Sequence, residues 1–184
     1  EGTGIGHKLT VFIYKDSEDR LIATTGSPKL QVGEAAVLEV KEVSKIGAFL
    51  DMGLEKDLLL PFREQSHPVK KGESCLVALY VDKSGRLAAT MRVYAYMSNQ
   101  SPYKKNDRVV GRIYENLGAF VAVDNRYYGL IPQKEMFREY REGDEVEARV
   151  IRVRDDGKLD LSVREKAYLQ MESDVVKVMQ VIEE

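Results

Sequence analysis

The sequence predicts an all-β chain of tandem five-stranded barrels with a C-terminal helix, and three observations carry that prediction. A long block of sequence recurs almost in register with itself. Within each copy, short runs of alternating apolar and polar residues are separated by turn residues, which is the period of strands. Only the C-terminal segment changes to helical spacing.

The repeat is collinear. IGAFLDMGLEKDLLLPFRE (Ile46 to Glu64) returns as LGAFVAVDNRYYGLIPQKE (Leu117 to Glu135), pairing Gly47 with Gly118, Phe49 with Phe120 and Pro61 with Pro132 at an offset of 71. Upstream, VGEAAVLEV meets KNDRVVGRI at 73, and downstream KSGRLAATMR meets DDGKLDLSVR at 72, so the loops differ by one or two residues. A partial copy leads the chain, where IGHKLTVFIYKDSEDRLIATT (Ile5 to Thr25) matches KGESCLVALYVDKSGRLAATM (Lys71 to Met91) at 66.

Taken in order, residues 1–28 hold only the last hairpin of a truncated repeat. Two strands rarely hold together alone, so this hairpin is expected to lean on the next copy or to lie on strands supplied by missing or partner chain. Residues 33–92 and 104–164 are complete copies, joined near Ser98 to Tyr103 by the polar, Pro102-containing SNQSPY. In the second copy, strands are expected at 108–114, 118–124, 127–132, 144–154 and 158–163, with residues 133–140 as the longer link. Ser84–Gly85 and Asp156–Gly157 are hairpin turns between the last two strands of each copy. In residues 165–184, Tyr168, Met171, Val175, Val178 and Ile182 fall at spacings of three and four, giving a helix with one apolar face. That helix either packs on the neighbouring barrel or opens a further domain. Five antiparallel strands in about 60 residues describe the oligonucleotide-binding (OB) barrel, whose second and third strands present a binding face. An SH3-like barrel is the rival.

Composition limits the chemistry. The 184 residues carry 28 Lys plus Arg against 30 Asp plus Glu, a net charge of −2, so the chain is neither a polycation nor an acidic tail. One cysteine builds no disulfide framework, and His7 and His67, sixty residues apart, supply no His-rich metal site. No cofactor is expected. The chain has no run of eighteen apolar residues, and its N-terminus has neither the basic nor the apolar region of a signal peptide, so a cytoplasmic protein without a membrane span is expected. It opens on Glu1 rather than methionine, which points to a piece of something longer. There is no Walker loop, no dinucleotide fingerprint and no nucleophile with its base, so no enzyme is expected. Cys75 aligns with Val146 at an inward position and reads as a small buried hydrophobe.

Strand alternation supplies a binding argument instead. In GAFLDMG, Ala48, Leu50 and Met52 share one side, and Phe49 and Asp51 the other. Ala119, Val121 and Val123 repeat the apolar side, opposite Phe120 and Asp124. An outward phenylalanine calls for a reason, and base stacking is one. Packing under a loop or against the adjacent repeat is the other. Tyr80, Asp82 and Arg86 recur as Tyr14, Asp16 and Arg20 around the matching hairpin. From 33 to 92 there are nine basic and nine acidic residues, and from 104 to 164 thirteen and twelve, so neither barrel is strongly basic. Nucleic-acid affinity must come from local clusters. Arg112, Arg126, Arg149, Arg152, Arg154 and Lys158 make the second copy the better candidate.

The GAF run, the third strands ending GLIP and LLLP, and the hairpins GRLAATMR and GKLDLSVR resemble S1 RNA-binding domains, over about residues 5 to 164. VFIYKDSEDRLIATT leading into the next barrel, and LLLP where many S1 domains read GLVH, are similar to the bacterial conserved virulence factor B family, which has tandem S1 domains and then a winged helix. The resemblance implies RNA contact at Phe49, Asp82 and Arg86 in the first copy, and at Phe120 and Lys158 in the second, where Arg154 replaces the aspartate. It also implies that the final helix begins a truncated winged-helix domain. Two departures reduce the platform: Ile46 or Leu117 replaces the aromatic before GAF, and Pro61 or Pro132 replaces the third-strand histidine. Tyr128, on the parity of Pro132, and Arg126 compensate in part. The expected protein is a non-enzymatic bacterial regulator of RNA metabolism or translation, binding single-stranded RNA through Phe49, Asp82, Arg86, Arg112, Phe120, Tyr128, Arg154 and Lys158. A protein-interaction scaffold with little nucleic-acid affinity is the alternative, and protein partners follow from it. An accessory domain of a nuclease or polymerase would need a catalytic segment elsewhere.

Overall fold

The computed structural model describes residues 4–16, 18–115 and 119–164, and the chain divides into two compact units, Glu1–Met97 and Ser98–Glu184. The helix expected at 165–184 lies outside the described residues.

The first unit opens with an antiparallel hairpin, β1 (Phe12–Lys15) and β2 (Leu21–Thr24). Five strands follow: β3 (Ala35–Val43), β4 (Gly47–Leu50), β5 (Leu58–Pro61), β6 (Ser74–Val81) and β7 (Leu87–Thr90). Their order is β5-β4-β3-β6-β7, with β5 curling round beside β7. The apolar side of each alternating strand points inward, so Leu38, Val40, Leu50, Leu58, Leu60, Val77 and Leu79 make one core. Fully burying such a side chain contributes roughly 1.5 to 3 kcal/mol. Cys75 belongs to that core, and burial pushes its thiol up to about 11, leaving it unreactive. Gly47, the first residue of GAF, crosses the β5 backbone so closely that a Cβ would strike the Leu60 carbonyl, and its φ is +151°. Only glycine fits there.

The N-terminal hairpin leans on this barrel. Phe12 packs against the core, Lys15 Nζ donates to the Ser84 carbonyl (3.4 Å), and Lys56 Nζ donates to the Lys15 carbonyl (3.1 Å).

The second unit contains β8 (Arg108–Glu115), β9 (Phe120–Val123), β10 (Tyr127–Leu130), β11 (Glu145–Val153) and β12 (Leu159–Ser162). They close a barrel in the order β10-β12-β11-β8-β9. Closure is made by a parallel contact, Gly129 with Leu159 and Leu130 with Asp160, while the other four pairings are antiparallel. This is the five-stranded Greek-key order of the OB-fold. Ile113, Val121, Val123, Ile131, Val150, Leu159 and Leu161 fill the interior. The three-residue β9–β10 connection contains a tight turn, with Asp124 and Asn125 at φ +51° and +56° and the Arg126 amide donating to the Val123 carbonyl. That is a type I′ turn, for which Asp and Asn are suited. The β6–β7 and β11–β12 hairpins turn at Gly85 and Gly157, both near φ +80°.

The SNQSPY stretch is fastened to the second barrel. The Ser98 amide donates to the Arg126 carbonyl (2.7 Å), the Tyr128 amide donates to the Ser98 carbonyl (3.2 Å), and Asn99 Nδ2 donates to the Asp156 carbonyl (3.0 Å). Gly157 lies so near that a Cβ would strike the Asn99 carbonyl. Among the described residues, the helical segments are three single 3₁₀ turns at Phe62–Glu64, Val93–Tyr96 and Gln133–Glu135.

Candidate nucleic-acid interface

Register sets the outer face of the second barrel. Arg112 on β8 pairs with Ala122 on β9, which pairs with Tyr128 on β10. The next outward row is Glu115, Phe120 and Leu130. With strands about 4.8 Å apart, the Arg112 and Tyr128 backbones stand roughly 10 Å apart, with only a methyl between them. Ala122 is fully covered although it faces outward, because its neighbours are large. Phe120 is partly buried on the outer face, its ring 6.1 Å from that of Tyr114. Lys158 Nζ lies 5.0 Å above the Tyr128 ring, a cation–π distance. Arg154 and Lys158 sit either side of Asp156, at 3.4 and 3.9 Å.

The fold thus brings Tyr128, Lys158 and Arg154 to one end of the barrel, with Phe120 alongside on β9. Arg112 stands at the far edge, where its Nη1 donates to the Gly143 carbonyl (2.8 Å) and its Nη2 pairs with Glu145 (3.0 Å). Part of its charge is therefore committed to β11. Two contributors were not visible in the strand pattern. Tyr114 occupies a bulge between Ile113 and Glu115, where the alternation breaks. Tyr103 donates its hydroxyl to Asp124 and so holds the β9–β10 turn from a distant segment; that bond, together with burial, pushes the phenol up to about 12.

At the same offsets the first barrel carries Glu39, Asp51 and Asp57 in place of Arg112, Ala122 and Tyr128. Lys29 pairs with Asp51 (2.8 Å), and Lys41 with Asp57 (2.8 Å) and more distantly with Asp51 (3.9 Å). The Lys29 hydrogen bond, with the Gly53 amide, holds the Asp51 carboxyl below its usual range. Phe49 is partly buried between Glu42 and Leu59 on the neighbouring strands. Asp82 stands apart at the β6–β7 turn, where its Oδ1 accepts from the Ser84 amide (2.8 Å), the Ser84 hydroxyl (2.6 Å) and the Arg86 amide (3.0 Å). The Ser84 hydroxyl contributes most to holding its carboxyl low. Asp16 closes the β1–β2 turn in the same way, accepting from the Glu18 and Arg20 amides. The recurring Asp thus has a local cause, a carboxylate-capped turn. Arg86 is engaged by the N-terminal hairpin, its Nε donating to Asp19 (2.9 Å).

Among the described residues, no three His, Cys, Asp or Glu side chains gather as a metal site, and no helix is long and apolar enough to cross a membrane.

Comparison with known proteins adds the family. Residues 1–26 and 32–92 match the S1 domain, and residues 93–165 match the second domain of virulence regulatory factor CvfB. The chain is thus similar to the conserved virulence factor B family, with an S1-domain match over its first part. The chain is 33% identical over 168 residues to uncharacterized protein YitL of Bacillus subtilis, covering 85% of this chain and 56% of the relative. Against conserved virulence factor B of Staphylococcus haemolyticus it is 25% identical over 180 residues, covering 92% and 60%. It thus spans somewhat over half the length of these relatives. A crystal structure from Streptococcus pneumoniae, described as a multidomain protein with nucleic acid binding domains, superposes with a TM-score of 0.56 at 25% identity, over 90% of this chain and 63% of that one.

Proposed function

We propose that this protein binds single-stranded RNA without catalysing a reaction, and that the second barrel is its principal reader. The supporting observation is the outer face of β9 and β10, where Phe120 and Tyr128 offer ring faces with Lys158 and Arg154 beside them, while the first barrel holds Asp57 and Asp82 where the second has Tyr128 and Arg154. Aromatic stacking is worth about 1 to 3 kcal/mol per base and tolerates any sequence. Arg112 adds a cation at the far edge. In the first barrel Phe49 offers a single ring, and Asp82 shapes the hairpin beside Arg86. The biological role that fits is regulation of RNA metabolism or translation in the bacterial cytoplasm, in keeping with the regulatory name of the relatives.

The test is fluorescence anisotropy with short RNA and DNA oligomers over a salt series. Three or four phosphate contacts, at about −0.7 each on single strands, give a log–log salt slope of roughly −2 to −3. No binding at low salt, or binding indifferent to salt, would hand the protein to the scaffold reading. That reading is favoured by the exposed Ile46 and Phe62 of the first barrel.

A further inference from the structure

We infer a second phosphate-binding site on the β8–β11 side of the second barrel, built by Arg108, Arg149 and Asn106, which holds the backbone of an RNA strand after it leaves the Tyr128–Lys158 end. This rests on the RNA reading above. Arg108 and Arg149 are direct ladder partners, so their side chains leave the same face of adjacent strands. Such Cβ atoms stand about 5 Å apart, and like charges placed directly opposite destabilise a sheet. Neither guanidinium has an ion-pair partner among the described residues. Arg149 is instead steered by a hydrogen bond from its Nη1 to Asn106 Oδ1 (3.3 Å).

The first barrel is an internal control. The equivalents of Asn106, Arg108 and Arg149 are Gly33, Ala35 and Ala78, and Ala35 pairs with Ala78 in the same ladder. Gly33 and Asn106 even share the left-handed backbone, at φ +88° and +82°. The barrel therefore closes on two alanines and needs neither arginine. Three small residues have become a polar cluster together, at a cost in repulsion, which an anion between the guanidinia would remove. A phosphate suits two forked donors converging from adjacent strands.

Acidic groups nearby are already engaged or offset. Glu135 accepts from Ser162 (2.6 Å), the β12 partner of Arg149, and Asp107 accepts from the Lys104 amide (2.7 Å). Glu147 is exposed two residues along β11. The strand end supplies continuity: Arg152 is exposed on β11 between Arg149 and Arg154, with Asp160 as its β12 partner, so Lys158, Arg154, Arg152 and the Arg149–Arg108 pair follow one another along the edge, offset by Asp156 and Asp160.

The experiment compares the wild type with Arg108→Ala/Arg149→Ala, which copies the first barrel's alanine pair, using RNA oligomers of about 4 and about 16 nucleotides, the span of OB-fold site sizes. On the long oligomer the double variant should lose about 1.4 of salt slope, two contacts at about 0.7 each, so that a fourfold rise in salt weakens the wild type about sevenfold more. The short oligomer should be bound equally by both, and the variant's Tm should hold or rise. An unchanged slope on the long oligomer, an equal loss on the short one, or a lower Tm would overturn the site. Inorganic phosphate raising the wild-type Tm as much as the long oligomer does would make it a free-anion site and overturn the strand path. Failure of the wild type to bind either oligomer would instead sink the RNA reading itself.

Discussion

Replacing Phe120 by alanine separates a stacking ring from a packing one. The side chain is partly buried on the outer face of β9, against Tyr114, with Glu115 and Leu130 as its ladder neighbours. If it stacks on a base, its loss should cost about 1 to 3 kcal/mol of binding, a five- to 150-fold rise in Kd. Its partial burial should cost about 1 to 2 kcal/mol of stability, or a Tm lower by about 4 to 16 °C for a domain of this size. A core phenylalanine would cost about 3 to 5 kcal/mol instead. Anisotropy with a short RNA and thermal unfolding followed by circular dichroism give both numbers. Phe120→Tyr keeps the ring and should keep the affinity, whereas Phe120→Leu keeps apolar bulk and should not. A Tm fall above about 20 °C, or Leu binding as well as Tyr, would refute the stacking argument.

Other perturbations follow from the same geometry. Gly157→Ala should lower the Tm of the second barrel by several degrees, since it combines a positive φ with a clash at the Asn99 carbonyl; an unchanged melt would show that the 98–103 segment is not fastened there. Tyr103, bonded to Asp124, should titrate near 12, so it favours the folded state below the ordinary phenol value near 10 and loses that contribution as pH rises towards 12. Ultraviolet titration of Tyr103→Phe should lack one late-ionising phenol. Asp82 is held low by its turn bonds, so its contribution is present above the ordinary carboxylate range and is lost as pH falls through its depressed value. Asp82→Asn should therefore melt lower at neutral pH and show a flatter acid limb than the wild type.

The barrels were legible because strand period and repeat agreed at every landmark. The strands expected at 108–114 and 127–132 form at Arg108–Glu115 and Tyr127–Leu130, since alternation with turn residues at each end leaves little choice of register. The outward side of Phe120 follows from the same parity. The site was less legible, because its parts meet across strands. Tyr114 shares a surface with Phe120 only through a bulge, which shifts parity without a mark in the sequence. The Tyr103–Asp124 bond joins residues on either side of β8 and β9. Asp82 invited a ligand role because it recurs, yet its oxygen is taken up by local amides and a serine hydroxyl, and recurrence alone does not separate a capped turn from a contact.

Net charge hid the difference between the copies. Nine acids and nine bases in one barrel, and twelve and thirteen in the other, describe nearly the same electrostatics until register is applied. Register then places Glu39, Asp51 and Asp57 in one row of the first barrel, closed by Lys29 and Lys41, and Arg112, Ala122 and Tyr128 in the equivalent row of the second. A phosphate approaching the first row meets carboxylates whose cations are already paired, while one approaching the second meets Lys158 above a ring. Exposed ion pairs of the first kind are worth at most about 1 kcal/mol to stability, so the fold hardly requires them. Their stronger effect is on what may approach. Two barrels of one topology and near-equal charge thereby present different surfaces, set by the order of side chains along three strands.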